Sequence, residues 1–382
     1  MSLLAMTGAP FATREELMNY DVENTPWTKV YNRRLKTNGH AELVMNNVPR
    51  VDDSFYQESE VAITPYLAQL MDENDPNCPI RLQFLPTEAE RHIAPHEEGD
   101  QLGEHHMEIP GTSITHRYPQ RVLFLMNTIC AALCRHCTRK RIVLDPDAHI
   151  DMTQIRNGVE WLRENKNIED VLLSGGDPLM FPNAKLDKIL GMIREARPDL
   201  KILRIGTRLP VHLPTRIDQE LVDILHKHDV TLVNIQVNHP KEITPLFIKH
   251  IRMLTRGGIP VGNQSVLWKG VNDDPVILKE LFMELMSHGV RPYYVYTMDP
   301  APGNSHIQVN YHRTLEIIHK LRGWISGPAM PTFILDGIGG LGKMPIQPDY
   351  AKVITDENGN ERLVATNFEG KQCDHTFLLD AE

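Results

Sequence analysis

Three cysteines, Cys130, Cys134 and Cys137, fall within eight residues in the stretch ICAALCRHCTRKR, and the chain holds only two others, Cys78 and Cys373. An odd, low count of this kind is not a disulfide framework. Three thiolates on one short segment can hold three corners of a metal cluster. A closed structural zinc site takes four ligands, usually in paired halves, and the second half is missing here. His136 lies between two of the cysteines in a tight turn and is poorly placed to reach the same metal. An iron-sulfur cluster of the 4Fe-4S type, with one iron left open for a small molecule, makes better use of three thiolates. Zinc on the cysteine cluster stays as the alternative.

A second segment, Asp336-Gly-Ile-Gly-Gly-Leu-Gly-Lys343, satisfies most of a P-loop pattern and also the dinucleotide-binding spacing of glycines. Both patterns need a following helix whose N-terminus faces phosphate. Met344 stands where a P-loop needs Ser or Thr, and Pro345 and Pro348 oppose a helix. What remains is a flexible loop presenting one amine, Lys343, able to form a Schiff base, most usefully with pyridoxal phosphate (PLP). The plain alternative is a surface lysine. Ser174-Gly175-Gly176-Asp177 could bring backbone close to a ligand, or could simply turn the chain. Arg139 could take a carboxylate in bidentate fashion. Asp299 and Asp336 could face a distal cation, although single aspartates at strand ends often only form turns.

These residues need a scaffold, and the rest of the chain predicts one. At 382 residues, 41% hydrophobic and 24% charged, the sequence is that of a folded protein with ample core. No apolar run approaches the ~18 residues of a membrane span, and the N-terminus has no secretory pattern, so a cytoplasmic protein is expected. A net charge of -10 without a long basic block argues against nucleic acid as partner. From Arg121 onward six short runs read as strands, at 121–127, 170–176, 202–207, 231–237, 261–267 and 291–299. Amphipathic stretches of helical period separate them, which implies parallel strands with right-handed crossovers and a site at the strands' C-terminal ends. The fold class is α/β, a partial (β/α)6 barrel at 116–330. It would carry a mostly helical N-terminal cap at 1–115 and a C-terminal extension at 331–382 holding the Lys343 loop and a hairpin turned at Asn358-Gly359.

Cys-x3-Cys-x2-Cys after the first strand of such a barrel resembles the radical S-adenosylmethionine (SAM) superfamily. CRHCTRKR, with HRYPQRVLF before it, resembles the lysine 2,3-aminomutase family within it, and the similarity runs from about Ala62 to about Tyr350. The resemblance implies a 4Fe-4S cluster on the three cysteines, SAM on the open iron, and PLP on Lys343. SAM would then be cleaved by one electron, from a donor such as flavodoxin or ferredoxin, to a 5′-deoxyadenosyl radical. It further implies SAM contacts at Ser174, Gly175, Gly176, Asp177, His136 and Gln264, and PLP phosphate contacts at Arg117 and Arg121. Arg139 would bind the substrate carboxylate, while Asp299 and Asp336 would clasp a distal ammonium. The implied activity is conversion of L-lysine to β-lysine. Arginine 2,3-aminomutase, or a β-lysine-forming enzyme of the elongation factor P pathway, are alternatives, and a P-loop protein with a zinc-cysteine cluster is the alternative from another class. The chain departs from the family in reading GIGGLGK where the family has a nearly continuous glycine run. Its tail holds only Cys373, and Asp274 follows Val-Asn-Asp, so a homo-oligomer without the family's zinc-linked tails is expected.

Overall fold

A computed structural model describes residues 11–36 and 61–379 of the chain. Much of the expected N-terminal cap, 1–10 and 37–60, therefore lies outside the described residues. The rest of the cap is less helical than expected. Its helices are short, Arg14–Met18, Trp27–Asn32, Pro65–Leu70 and Pro79–Phe84, and are joined by irregular chain and a two-residue ladder of β1 (Leu35–Lys36) on β2 (Ala62–Ile63). The Pro and Asp/Asn clusters between them stop each helix after about one turn.

Nine strands form the main sheet. In chain order they are β3 (Ile114–Tyr118), β4 (Arg121–Asn127), β5 (Asp170–Gly175), β6 (Ile202–Thr207), β7 (Leu232–Ile235), β8 (Val261–Val266), β9 (Val290–Tyr296), β10 (Thr332–Gly337) and β11 (Gly342–Ile346). They lie side by side in that order, parallel from β4 to β10 and antiparallel at both edges. The six expected strands are all present, and two differences matter. The run TFILD does not stand apart in an extension but pairs as a seventh parallel strand on β9. The segment after the glycines, expected to be loop, is the edge strand β11. The sheet does not close by backbone pairing. Its edges β3 and β11 are tied instead by the Lys343 amide, which donates to the Tyr118 hydroxyl at 3.1 Å.

Six helices cross over between the parallel strands: Met152–Glu164, Asn183–Ala196, Gln219–Lys227, Pro245–Arg256, Pro275–Ser287 and Tyr311–Leu321. Polar residues start most of them. Asp151, Asp218, Thr244, Asp274 and Asn310 each accept from a first-turn amide, which satisfies donors the helix itself leaves free. Each helix lays an apolar stripe on the strands, as with Leu278, Leu281, Phe282 and Leu285, while the opposite, barrel-facing side carries polar residues such as Ser174, Arg204, Asn234 and Gln264. Among the described residues no helix is long and apolar enough to cross a membrane. The tail folds into a separate antiparallel sheet of β12 (Ala351–Thr355), β13 (Glu361–Thr366) and β14 (Gln372–Asp374), with the expected turn at Asn358-Gly359 and Cys373 exposed on β14.

Candidate active site

Every strand from β4 to β10 delivers something to one end of the barrel, the C-terminal end where crossovers leave room for ligands. The cysteine segment leaves β4, the Ser-Gly-Gly-Asp turn leaves β5, and Gln264, Asp299 and Asp336 lie on or after β8, β9 and β10. A cavity of about 310 Å³ lies there and adjoins a second, of about 440 Å³, that reaches back along the strands to Arg121 and Thr332; both have Arg139, Gln264, Tyr296, Asp336 and Lys343 in their walls. The first, the cysteine-lined cavity, has the three cysteines, His136 and residues 174–177 in its wall, the second Arg117, Tyr118, Arg121 and the glycine hairpin.

The cysteine segment is held by backbone. Gly176 N donates to Asn127 O at 2.7 Å and Asp177 N to Ile129 O at 2.8 Å, while Asn127 Nδ2 reaches Asp177 O at 2.9 Å. This lacing explains both glycines, for a reason beyond the one expected. A Cβ at Gly175, whose φ is +124°, would meet Asn127 O at 2.3 Å, and one at Gly176 would meet Ile129 N and O at 2.5 Å. The glycines bring the turn against the cysteine segment, and both also stand in the wall of the cysteine-lined cavity. Gly176→Ala is therefore expected to cost about 2 to 4 kcal/mol, read by chemical denaturation, and to lower cluster content after iron reconstitution. Unchanged stability and full cluster loading would refute this.

Asp177 also differs from expectation. Its carboxylate accepts from Thr207 Oγ1 at 2.9 and 2.8 Å, from Arg208 N at 2.8 Å and from Leu179 N at 3.1 Å, so it binds the β5 and β6 turns together and has little left to offer a cofactor. Burial lifts its pKa to about 6 despite these bonds.

All three thiols sit in desolvated surroundings that push their pKa up, with neighbouring cysteines adding repulsion at Cys130 and Cys137. At Cys134 burial is partly offset by Arg208, whose Nη1 donates to Sγ at 2.9 Å. Buried thiols with so little compensation suit ligation by a cationic cluster, which takes them as thiolates. The cysteine-lined cavity also holds polar atoms with no partner among the described residues: Nδ1 of His136, both polar atoms of the Asn234 amide, Nε of Arg208 and Nδ1 of His212. A polar ligand there would satisfy atoms that otherwise remain buried and unpaired. His136 is kept neutral by burial, reinforced by the Arg208 and Lys140 charges. Its Nε2 meets Gln236 Nε2 at 2.7 Å and its ring lies edge-on to Trp268.

The second cavity is built for an anion at one side. Arg121 lies over the Tyr118 ring at 3.8 Å and Arg117 at 5.5 Å, and neither forms an ion pair with a carboxylate among the described residues. Lys343 is not on a mobile loop. It pairs with Asp336 across the β10–β11 hairpin, its Nζ 2.8 and 2.9 Å from the two carboxylate oxygens and 4.7 Å from the Tyr296 ring centre. Asp299 stands nearby with no hydrogen-bond partner for its carboxylate among the described residues. Burial, and then the charge of Asp336, push its pKa to about 7 against the pull of Lys343. Gln264 Nε2 reaches the Tyr296 hydroxyl at 3.2 Å.

Arg139 requires a correction. Expected as a free fork, it is already clamped: Nε lies 3.2 and 3.0 Å and Nη2 2.6 Å from Glu104 oxygens, and only Nη1, 3.4 Å from Ser174 Oγ, faces the cysteine-lined cavity.

The site's relatives can now be compared. Residues 124–281 match the Radical SAM superfamily and residues 318–376 match Lysine-2,3-aminomutase. The chain is 42% identical over 310 residues to the L-lysine 2,3-aminomutase of Clostridium subterminale, spanning 81% of this chain and 73% of that one. It is 43% identical over 310 residues to that of Fusobacterium nucleatum subsp. nucleatum, covering 81% and 72%. The chain belongs to the lysine 2,3-aminomutase family. It is a radical SAM enzyme, using a 4Fe-4S cluster and SAM, and an isomerase of the aminomutase type acting on an amino acid. The family is not uniform in what its members are named for: the glutamate 2,3-aminomutase of Clostridioides difficile (strain 630) is 36% identical over 310 residues, covering 81% and 72%.

Among the side chains of this aminomutase site that were not foreseen are Glu104, Tyr118, Arg208 and Asn234. Tyr118 sits inside HRYPQR and could have been read from that motif. Glu104, Arg208 and Asn234 carry no local signal, because they reach the site by tertiary packing alone.

Proposed function

We propose that the chain is a PLP-dependent L-lysine 2,3-aminomutase, moving the α-amino group of L-lysine to C3 to give β-lysine. One observation carries this: a half-buried carboxylate pair, Asp299 and Asp336, faces the cavity, and an alkylammonium, that of Lys343, already sits on Asp336. The same pocket suits the distal ammonium of a lysine substrate once Lys343 is engaged elsewhere. A γ-carboxylate there would meet two like charges, which disfavours glutamate. Arginine is longer but also cationic, and remains the second reading.

The residues divide the work by charge. Lys343 supplies the amine that would carry PLP, Arg117 and Arg121 would hold its phosphate, and Arg139 would meet the substrate carboxylate with its Nη1 edge. The three cysteines would hold the cluster, and Ser174, Gly175, Gly176, His136 and Gln264 line the space left for SAM. When bound, the cluster and SAM supply a radical able to take hydrogen from an unactivated carbon, and PLP supplies a conjugated system over which spin can spread. The barrel keeps the reacting groups close and excludes water, with Leu123, Leu172 and Tyr296 forming apolar wall between the polar ends. A flavodoxin- or ferredoxin-type donor, a cytoplasmic setting and a homo-oligomer without zinc-linked tails go with this reading.

Anaerobic incubation of reconstituted enzyme with SAM, a reductant and, separately, lysine, arginine, glutamate or alanine tests it. A β-amino product from lysine is expected. Turnover of arginine or glutamate without lysine would overturn the assignment.

A further inference from the structure

Glu104 opens a single 3-10 turn, Glu104–Met107, in the irregular cap, and nothing in its sequence surroundings marks it. Its carboxylate is nonetheless buried in the wall of the second cavity. It takes the Nε and Nη2 edge of Arg139, and Arg141 Nη2 stands 3.6 Å away on its other side. Burial alone would lift the Glu104 pKa, but the guanidiniums outweigh it and hold the carboxyl below the usual range.

The turn that carries Glu104 is fixed from both sides. Its amide donates to Asp100 Oδ1 at 3.0 Å, and Arg141 Nη2 pairs with the same aspartate at 3.1 Å. On the opposite flank Gly339 N, in the hairpin that carries Lys343, donates to Gln101 O at 2.9 Å, and a Cβ on Gly103 would come within 3.2 Å of Gly339. Glu104 is thus anchored to the hairpin while it grips an arginine of the cysteine segment. Its grip leaves Arg139 with one free edge, Nη1, turned to Ser174 and the cysteine-lined cavity.

We infer that Glu104 is a positioning residue, which holds Arg139 so that its Nη1 edge meets the α-carboxylate of the substrate. The inference rests on the lysine aminomutase reading above. A buried guanidinium gripped on two of its nitrogens cannot swing, so the carboxylate is recognised in one orientation, relative to both the cysteine segment and Lys343. Without the Glu104 charge, Arg139 is free to turn toward solvent or toward Asp100.

The test compares L-lysine with L-lysinamide, which keeps both amines and lacks the carboxylate charge. Wild type and Glu104→Gln, both reconstituted with cluster, SAM and PLP, are titrated anaerobically while the visible absorption of bound PLP is followed. For E104Q the half-saturating lysine concentration should rise about tenfold and that for lysinamide should stay unchanged. In turnover, KM for lysine should rise by a similar factor with kcat within about threefold of wild type. Equal effects on the two ligands, or none on either, would overturn the inference. Glu104→Asp serves as the second variant: partial recovery of lysine affinity supports it, and loss of cluster and PLP loading in both variants would make Glu104 a fold element and end it. If wild type itself gives no response to lysine, the substrate assignment fails, and the inference falls with it.

Discussion

Lys343→Ala is expected to lower turnover by at least about 10³-fold and to remove the PLP absorption band, while the cluster remains on Cys130, Cys134 and Cys137. Among the described residues no other lysine lines either cavity, so no neighbouring side chain stands ready to replace its amine. The same change removes the cation that now faces Asp336, so a drop in activity could be blamed on charge alone. Lys343→Arg separates the two effects. It keeps a permanent cation on Asp336 but has no amine that can deprotonate and condense with a carbonyl. It should fold and load its cluster as wild type does, and be as inactive as the alanine variant. Either variant retaining turnover within tenfold of wild type would remove Lys343 from the chemistry.

Asp299→Asn should raise KM for lysine by about 10²-fold at pH 8, the scale expected when one member of a desolvated charge pair is lost. The wild-type enzyme should show why in its pH profile. Asp299 carries a pKa of about 7 in the fold against 3.8 as its reference. Below pH 7 it is largely protonated and offers the substrate ammonium no charge, so KM should fall as pH rises through 7. In D299N this dependence should flatten. The stability of the ligand-free protein should move the other way. A carboxyl whose folded pKa is raised favours the fold while protonated in both states, and that contribution is lost as pH rises from about 4 to about 7, by up to ~4 kcal/mol. Lysine binding should offset this loss above pH 7. A KM independent of pH between 6 and 8 in wild type would sink the assignment of Asp299 to the ammonium pocket.

The sequence showed where chemistry would lie far better than how its parts touch. The cysteine spacing, the six strands with their helices and the exclusion of a phosphate-binding helix after Lys343 were all legible, because each follows from local pattern. The strand β11 that replaced that helix was not, since its pairing with β10 depends on an edge that six other strands must first create. Gly175 and Gly176 could be read as important but not for what they touch, because their close neighbours lie some fifty residues earlier. Asp177 illustrates the limit on polar residues: a carboxylate beside a glycine pair looks like a ligand contact until Thr207 and Arg208 arrive from the next strand. Glu104 lay beyond reach for the same reason. Its partner is 35 residues away and no periodicity links them.

The β10–β11 hairpin sets Asp336 directly across from Lys343 and Gly337 across from Gly342, with four residues between the two glycines. Side chains alternate faces along a strand, so inserting or deleting one residue in that turn would send Lys343 to the opposite face from Asp336. The turn therefore works as a ruler, and its length is under as strict a constraint as the lysine itself. A descendant of this chain could change the exposed Ile338 and Leu341 and remain an aminomutase, but a single codon gained or lost there would part the cofactor's amine from the pocket that chooses the substrate.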